Sequence, residues 1–166
     1  MAIYFGNDKI KDIYVGSDKI KEVYYGSEKV WGSSIPDVIM TSETNAPVMA
    51  ICYAQGWCAS PDFMTDREAA MVTDIGSAFY SNTAIKSFDE FQYFTGVTSL
   101  PLNAFRYNAE MTSITLPDGV TSLDGSCFSS CRALTSITLP ESVTSLGNGC
   151  FSGCRALTSI YSLRST

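Results

Sequence analysis

The sequence predicts a mixed, β-rich fold in which a short solenoid of about three 23-residue repeats is capped by a helix-loop-helix. An N-terminal β-meander precedes both. Three observations lead to this prediction: an apolar pattern with a 23-residue step, a separate ten-residue repeat at the N-terminus, and helical spacing between them. A fixed period of 20–50 residues is typical of stacked repeats. The predicted divisions are a decapeptide β-repeat segment (1–32), a linker (33–45), a helical cap (46–80) and the repeat solenoid (81–166).

The 23-residue step is visible directly in the C-terminal half. The segment TSITLPDGVTSLDGSCFSSCRAL (112–134) is followed at once by TSITLPESVTSLGNGCFSGCRAL (135–157). The same step relates four sets of apolar residues: Phe105, Phe128 and Phe151; Ile114, Ile137 and Ile160; Val97, Val120 and Val143; Leu100, Leu123 and Leu146.

Within one repeat, apolar and polar residues alternate as they do in a half-buried strand. Leu134, Ile137 and Leu139 are expected to point inward, and the Thr and Ser residues between them outward. Pro140 ends the strand because proline cannot donate to a ladder. One repeat cannot bury its own apolar face, so equivalent residues are expected to stack in columns. Three further apolar positions are predicted to close the opposite side and the corner: Val143, Leu146 and Phe151.

The pattern L-x-x-I-x-L-P-x-x-V-x-x-L-x-x-x-x-F-x-x-C resembles the BspA-like leucine-rich-repeat family over about residues 97–165, with a degenerate first turn from Ser77. The resemblance implies a leucine-rich-repeat fold that serves as a generic binding scaffold. In the first turn, Ile85 and Phe88 match Met111 and Ile114 at a separation of 26 rather than 23 residues. A three-residue insertion or an altered first turn explains the difference.

The N-terminus carries three ten-residue copies, which begin at Ile3, Ile13 and Val23. Each copy reads as a short β-rich run broken by glycine, a small polar residue and an acid, which is turn chemistry. So few apolar residues cannot close a core alone, and we expect this segment to dock or oligomerise. It resembles the short repeats of tailed-phage virion structural proteins, particularly of phages of gut bacteria, which implies a role in virion anchoring.

Helical signals lie between the two repeat regions. Asn45 is the expected N-cap of a first helix, with Pro47 in its first turn, and Gly56-Trp57 is expected to break it. A capping box, Thr65 with Glu68, precedes the predicted second helix.

The second helix is expected to bury Met71, Ile75 and Phe79 on one face, at i, i+4 and i+8. The helix-loop-helix is expected to cap the open end of the repeats. It also resembles degenerate EF-hand-like or dockerin-like segments. Calcium binding is not expected, because the ligand positions of such a loop hold residues without carboxylates: Trp57, Ala59, Pro61 and Thr65.

Charge and composition exclude several functions. The net charge of −6 argues against a nucleic-acid partner, which requires a basic surface. The chain has no histidine, which excludes Ser-His-Asp and Cys-His catalysis and His-ligated metals. The start MAIYFGNDKI lacks the basic and apolar regions of a secretory signal, and no stretch is long enough to span a membrane. Cytoplasmic assembly, or exit without the secretory route, is therefore expected.

The cysteines allow two interpretations. Cys127, Cys131, Cys150 and Cys154 form C-x3-C twice, which resembles a four-thiolate zinc site. They also occupy equivalent repeat positions, and buried cysteine suits a tight column, so the structural interpretation is favoured. Cys52 and Cys58 flank the helix break and are able to meet, but without a secretory signal all six are expected to be thiols.

We expect neither catalysis, metal nor cofactor, because no base, phosphate loop or cleft constellation is present. The outward strand positions predict a polar, uncharged face that suits glycans or protein loops, although a merely solvated sheet has equal weight. The candidate residues of this face are Thr115, Ser136, Thr138, Ser159, Tyr161, Tyr93 and Tyr107.

Two functions follow from the sequence. The first is a non-enzymatic virion structural or adhesion protein of a tailed phage, assembled in the host cytoplasm. Its expected partners are other virion proteins or itself as a homo-oligomer such as a trimer, and a host surface protein or glycan, with no membrane insertion. The alternative is a BspA-like adhesion or protein-binding module at the bacterial cell surface. The last repeat has no obvious polar cap, so we expect a partner subunit or a second copy to cover it.

Overall fold

The computed structural model describes residues 14–15, 18–19, 23–25, 28–31 and 38–163. The chain divides into two compact units, Met1–Pro36 and Asp37–Thr166. The described part is rich in short strands and contains two α-helices and one 3₁₀ helix. The prediction of a β-rich repeat region with few helices is therefore confirmed for these residues.

Two short antiparallel hairpins are described in the N-terminal unit. Strand β1 (Tyr14–Val15) pairs with β2 (Asp18–Lys19), and β3 (Val23–Tyr25) pairs with β4 (Glu28–Trp31). In both cases a Gly-Ser dipeptide of the sequence separates the two strands. These hairpins agree with the very short strands predicted from the ten-residue repeat. The first predicted copy, residues 3–11, lies outside the described residues.

The second unit begins with a strand pair that the sequence did not predict. Strand β5 (Val38–Thr41) pairs antiparallel with β6 (Phe63–Thr65), so the range 33–45, predicted as a linker, contains a strand. Met40 lies opposite Met64 in this pair, and both side chains are buried. Burial of this methionine pair against the core stabilises the two strands, despite the polar composition around β5.

The first helix, α1 (Ala46–Ala54), has Pro47 near its start, as predicted, and Gln55 and Gly56 follow its last turn. Gly56 adopts φ 71°, which glycine permits at low cost. Its N–H donates to the carbonyl of Tyr53, and the N–H of Trp57 donates to the carbonyl of Cys52. These two bonds form a Schellman motif, so the predicted helix break is confirmed.

Asn45 occupies the N-cap position of α1, as predicted, but its side chain makes no capping hydrogen bond. Its Nδ2 instead donates to the carbonyl oxygen of Ser87 at 3.1 Å and to Glu90 Oε2 at 3.2 Å. Asn45 is buried where the helical segment meets the first repeat, so its amide donates to acceptors that are distant in the sequence. Asn45 therefore links the helical cap to the repeats.

The second helix, α2 (Asp66–Met71), begins at the predicted capping box. Glu68 N–H donates to Thr65 Oγ1 at 3.3 Å, and Thr65 N–H donates to Glu68 Oε2 at 2.9 Å. The two residues thereby satisfy each other's free backbone donors at the start of the helix.

The end of α2 was predicted wrongly. The helix stops at Met71 rather than running on towards Phe79. Asp74 Oδ1 accepts a hydrogen bond from Gly76 N–H at 2.8 Å, and this local turn replaces helical hydrogen bonding. Met71 is consequently 81% exposed, whereas Ile75 and Phe79 are buried as predicted.

Two parallel strand ladders run through the repeats at the predicted spacing. The first joins β8 (Ser99–Leu100), β10 (Ser122–Leu123) and β12 (Ser145–Leu146). The second contains β11 (Ser136–Leu139) and β13 (Ser159–Ser162). Every register in both ladders joins residues that are 23 positions apart, so neighbouring repeats stack in sequence register.

The alternation predicted for one repeat is confirmed in β11. Ile137 and Leu139 are buried, and Ser136 and Thr138 are exposed. The strand ends directly before Pro140, as expected for a residue without an N–H donor.

The first turn contains the predicted insertion. Strand β7 (Ser87–Phe88) pairs parallel with β9 (Ser113–Ile114) at an offset of 26 residues, whereas β8 keeps the 23-residue step. The three additional residues therefore lie between β7 and β8, where the chain forms the 3₁₀ helix Asp89–Tyr93. This helix buries Phe91 completely, which stabilises the longer turn.

A column of stacked phenylalanine rings forms the centre of the repeats. Phe79, Phe105, Phe128 and Phe151 follow one another at centroid distances of 5.3, 5.3 and 5.6 Å, with interplanar angles of 13°, 4° and 4°. The first three rings are fully buried, and Phe151 is half-buried. Stacking of equivalent residues, expected from the 23-residue step, is thus present in the core.

Leu146 does not close the last turn as predicted. It is 50% exposed, whereas its equivalents Leu100 and Leu123 are 0% and 1% exposed. Ile160, in the same last turn, is 47% exposed. Each repeat depends on the next one to cover its outer side, and the last described repeat lacks that neighbour.

Candidate binding face

Five of the seven candidate residues lie along one face of the repeats, on or directly after strands β9, β11 and β13. Ser136 lies opposite Ser159, and Thr138 lies opposite Tyr161, in the parallel register of β11 and β13. Strand β9, which Thr115 follows, contacts β11. The five residues, called the hydroxyl ladder below, are Thr115, Ser136, Thr138, Ser159 and Tyr161.

A carboxylate bounds the hydroxyl ladder at the first turn. Asp89 accepts hydrogen bonds from Ser113 Oγ at 3.1 Å and from Thr115 Oγ1 at 3.3 Å. Strands β11 and β13 themselves contain no charged residue. The face is therefore neutral along these two strands and acidic at its first-turn end.

The other two candidate residues lie elsewhere. Tyr93 is the last residue of the 3₁₀ helix and is 41% exposed. Tyr107 follows the ring column in the turn after Phe105 and is 38% exposed. The structure therefore places both tyrosines outside the strands that carry the hydroxyl ladder.

Tyr107 belongs to an exposed aromatic patch that the sequence analysis missed. Its ring packs edge-to-face on Tyr80, with centroids 5.9 Å apart. The guanidinium of Arg106 lies 4.6 Å from the Tyr107 ring centroid, and Arg106 Nη2 donates to the Tyr107 hydroxyl at 2.9 Å. This patch could have been predicted from the 26-residue offset, because that offset places Tyr80 and Arg106 at equivalent positions of neighbouring turns.

The backbone at Tyr107 is left-handed, with φ 65°. The equivalent residues of the other turns share this conformation: Ser81, Ser130 and Gly153 have φ of 55°, 64° and 76°. Left-handed backbone is unfavourable for a bulky residue. Because the other turns share this conformation, a tyrosine there presents its ring at a backbone cost that glycine, as at Gly153, avoids.

One cysteine column brings two sulfurs together. Cys127 Sγ lies 3.1 Å from Cys150 Sγ, and both residues are buried. The hydrogen bond between the two thiols raises the pKa of Cys127 and lowers the pKa of Cys150, because the Cys127 S–H stabilises a Cys150 thiolate. The two sulfurs are thus close enough to share a proton between them.

A second column contains Asn108, Cys131 and Cys154, and each side chain donates to the carbonyl of a phenylalanine one turn earlier. The acceptors are Phe79 for Asn108 at 2.7 Å, Phe105 for Cys131 at 3.1 Å and Phe128 for Cys154 at 3.0 Å. These thiols therefore satisfy buried backbone carbonyls, as the structural interpretation of the cysteines expected.

The pKa values of this second pair also diverge. The neighbouring Cys154 sulfur raises the pKa of Cys131, and the neighbouring Cys131 lowers the pKa of Cys154 to about 7. Cys154 is only partly buried, whereas Cys131 is fully buried. Cys154 is therefore the more exposed and the more acidic thiol of this pair.

The other cysteines lie in the helical segment. All six cysteines are free, in agreement with the expectation of thiols. Burial raises the pKa of Cys52 to about 12, and burial together with the nearby Glu68 carboxylate raises the pKa of Cys58 to about 11. These two thiols are therefore protonated at neutral pH.

Internal hydrogen bonds hold the loop that was compared with a calcium site. Glu68 Oε1 accepts from Ala59 N–H at 2.9 Å, and Glu68 Oε2 accepts from Thr65 N–H and Thr65 Oγ1. In the described part of the chain, no three His, Cys, Asp or Glu side chains are grouped so as to hold a metal ion. Nor do the described residues include a helix long and apolar enough to cross a bilayer.

Comparison with known proteins matches the repeats to one family. The family model described as a BspA type leucine rich repeat region matches residues 70–165 in six copies. Searches of curated proteins and of solved structures found no significant match. The likeness of the N-terminal repeats to phage virion proteins thus gains no support and stays a prediction, as does self-association. Because the family match spans more than half of the chain and coincides with the stacked repeats, the protein belongs to the BspA-type leucine-rich-repeat family.

Proposed function

We propose that the repeats form a short solenoid that acts as a protein-binding or adhesion module through the hydroxyl ladder. The observation that carries the proposal is the register of β11 and β13, which sets the hydroxyl groups of Ser136 and Thr138 beside those of Ser159 and Tyr161 on a neutral face. Membership of a family of binding repeats supports a non-enzymatic role. It also supports display at the bacterial cell surface, the alternative above, over the virion role.

The chemistry of the hydroxyl ladder suits a neutral polar partner. Ser and Thr hydroxyls both donate and accept hydrogen bonds, so they complement sugar hydroxyls or the backbone of a protein loop. Tyr161, 58% exposed at the edge of the face, adds an aromatic surface for stacking. Parallel strands hold these groups at fixed spacing, which lowers the entropy lost when a partner binds.

A direct test is binding of the full chain to a printed array of neutral and acidic glycans and purified extracellular-matrix proteins. We expect at least one neutral glycan or protein to bind. Thr138→Arg, which places a large charged side chain in the middle of the hydroxyl ladder, is expected to lower that binding by roughly tenfold or more.

Thr144→Arg is the matched control, since Thr144 is an exposed threonine of the same repeat beside the other ladder, at β12. It is expected to leave binding unchanged. The proposal fails if no array member is bound above background, or if both substitutions weaken binding equally. Unfolding midpoints of both variants must match that of the unsubstituted protein for the comparison to count.

A further inference from the structure

The buried thiols of Cys127 and Cys150 lie in neighbouring turns with their sulfurs 3.1 Å apart. The turns are held at this spacing by the hydrogen bond from Phe128 N–H to the Cys150 carbonyl, at 2.9 Å. A disulfide requires sulfurs at about 2.05 Å, so a shift of roughly 1 Å suffices. The two side chains would also have to turn so that the Cβ–S–S–Cβ dihedral approaches about 90°.

We propose that Cys127 and Cys150 form an inter-repeat disulfide when the protein meets a small soluble disulfide such as oxidised glutathione. The bond would tie the last described repeat to the one before it. That repeat gains most from a covalent link, because its outer side is open, with Leu146 and Ile160 half exposed.

The reaction is a thiol–disulfide exchange in two steps. The Cys150 thiolate attacks one sulfur of the small disulfide and releases the first small thiol, which leaves a mixed disulfide on Cys150. The Cys127 sulfur, after loss of its proton, attacks the Cys150 sulfur and displaces the second small thiol. Two electrons and two protons pass from the cysteine pair to the small disulfide, which becomes two thiols.

The order of the two steps follows from the positions of the residues. Cys150 lies in the last described turn and is 4% exposed, whereas Cys127 lies one turn earlier and is 0% exposed. The hydrogen bond from Cys127 also favours the Cys150 thiolate. Three of the four remaining cysteines donate to backbone carbonyls: Cys131 and Cys154 to those of phenylalanines, and Cys58 to that of Ser60 at 3.3 Å.

The experiment treats the reduced full chain with oxidised glutathione, blocks the remaining thiols and digests with trypsin under non-reducing conditions. Cleavage after Arg106, Arg132 and Arg155 separates Cys127 from Cys150, in peptides 107–132 and 133–155. We expect these peptides to appear linked and two hydrogens lighter than their sum, with fragmentation assigning the bond to Cys127 and Cys150. The oxidised protein is expected to unfold roughly 5–10 °C above the reduced protein.

Two variants distinguish a disulfide between Cys127 and Cys150 from one between Cys131 and Cys154. Cys131→Ser with Cys154→Ser removes the second pair and is expected to keep the link. Cys150→Ala is expected to lose it, and alanine is the conservative choice because Ala104 occupies that repeat position. The proposal is overturned if only glutathionylated or unlinked peptides form, if the link joins Cys131 to Cys154, or if it persists in Cys150→Ala. The assignment in the unsubstituted protein does not depend on how the variants fold.

Discussion

The two ends of the ring column differ in how they are covered. At the first end, Phe79 is packed between Phe105 at 5.3 Å and Trp57 of the helical segment at 5.8 Å. At the last end, Phe151 stacks on Phe128 alone and is half-buried. The same residue type in the same repeat position therefore has different burial, which depends on its neighbour and not on its own repeat.

Close backbone contact also marks the covered end. A Cβ on Gly96 would lie 2.5 Å from the carbonyl oxygen of Ala70 and 2.6 Å from that of Val72. Gly96 precedes the first 23-residue strand, whereas Ala70 and Val72 lie in and just after α2. The helical segment thus fits against the repeats at a point where no side chain has room.

The two ends are expected to differ most in the stability that is lost when a phenylalanine ring is removed. Phe105→Ala should lower the free energy of unfolding by about 3–5 kcal/mol, because the ring is fully buried between two others. Phe151→Ala should cost roughly 1–2 kcal/mol, because a half-buried ring leaves less of a cavity. Urea unfolding of both variants measures the difference, and equal losses would show that the last repeat is covered in solution.

A smaller effect is expected from crowding at the covered end. Gly96→Ala should lower the free energy of unfolding by about 2 kcal/mol, since the added methyl meets backbone atoms that cannot move aside easily. Gly119→Ala is the control, because its Cβ would approach Thr95 O no closer than 3.8 Å. The control should change stability by less than about 0.5 kcal/mol. A neutral Gly96→Ala would contradict the tight contact between α2 and the repeats.

The smallest expected effect is on the alkylation rate of Cys154 in the last described turn, and it involves no change in the fold. Cys154 is partly exposed, and its pKa of about 7 lies below the ordinary thiol value. Alkylation by iodoacetamide requires the thiolate, so its rate at Cys154 should rise about tenfold per pH unit below pH 7 and level off above it. Cys131, the equivalent residue one turn earlier, is buried with a raised pKa and should react far more slowly.

Mass spectrometry of tryptic peptides follows the two rates separately, since Cys131 and Cys154 fall in different peptides. Cys52, with a pKa of about 12, provides an internal control that should stay unmodified at every pH below 9. Equal labelling of Cys131 and Cys154 would contradict the proposed difference in burial between neighbouring turns.

Repeat spacing made much of the C-terminal fold predictable. The 23-residue step set the register of both ladders, and the 26-residue offset of Phe88 from Ile114 located an insertion that the structure shows as a 3₁₀ helix. The end of α2 was not predictable from apolar spacing, because Asp74 competes locally for the backbone. Strand β5 was also missed, because its stability comes from a partner strand more than twenty residues away.

The candidate site was also predictable only in part, because some of its contacts join residues of different turns. Alternation along a strand identifies outward residues, so the members of the hydroxyl ladder on β11 and β13 followed from sequence. The position of an isolated aromatic residue does not follow from alternation. Tyr107 packs with Tyr80 of the preceding turn and with its sequence neighbour Arg106 rather than beside the ladder.

The sequence by itself determined which residues stack on one another, because a fixed repeat step forces equivalent side chains into columns. The tertiary structure decided what the ends of those columns meet. Burial of Phe79 under Trp57, exposure of Leu146 and the meeting of Cys127 with Cys150 all depend on distances between turns, which packing sets.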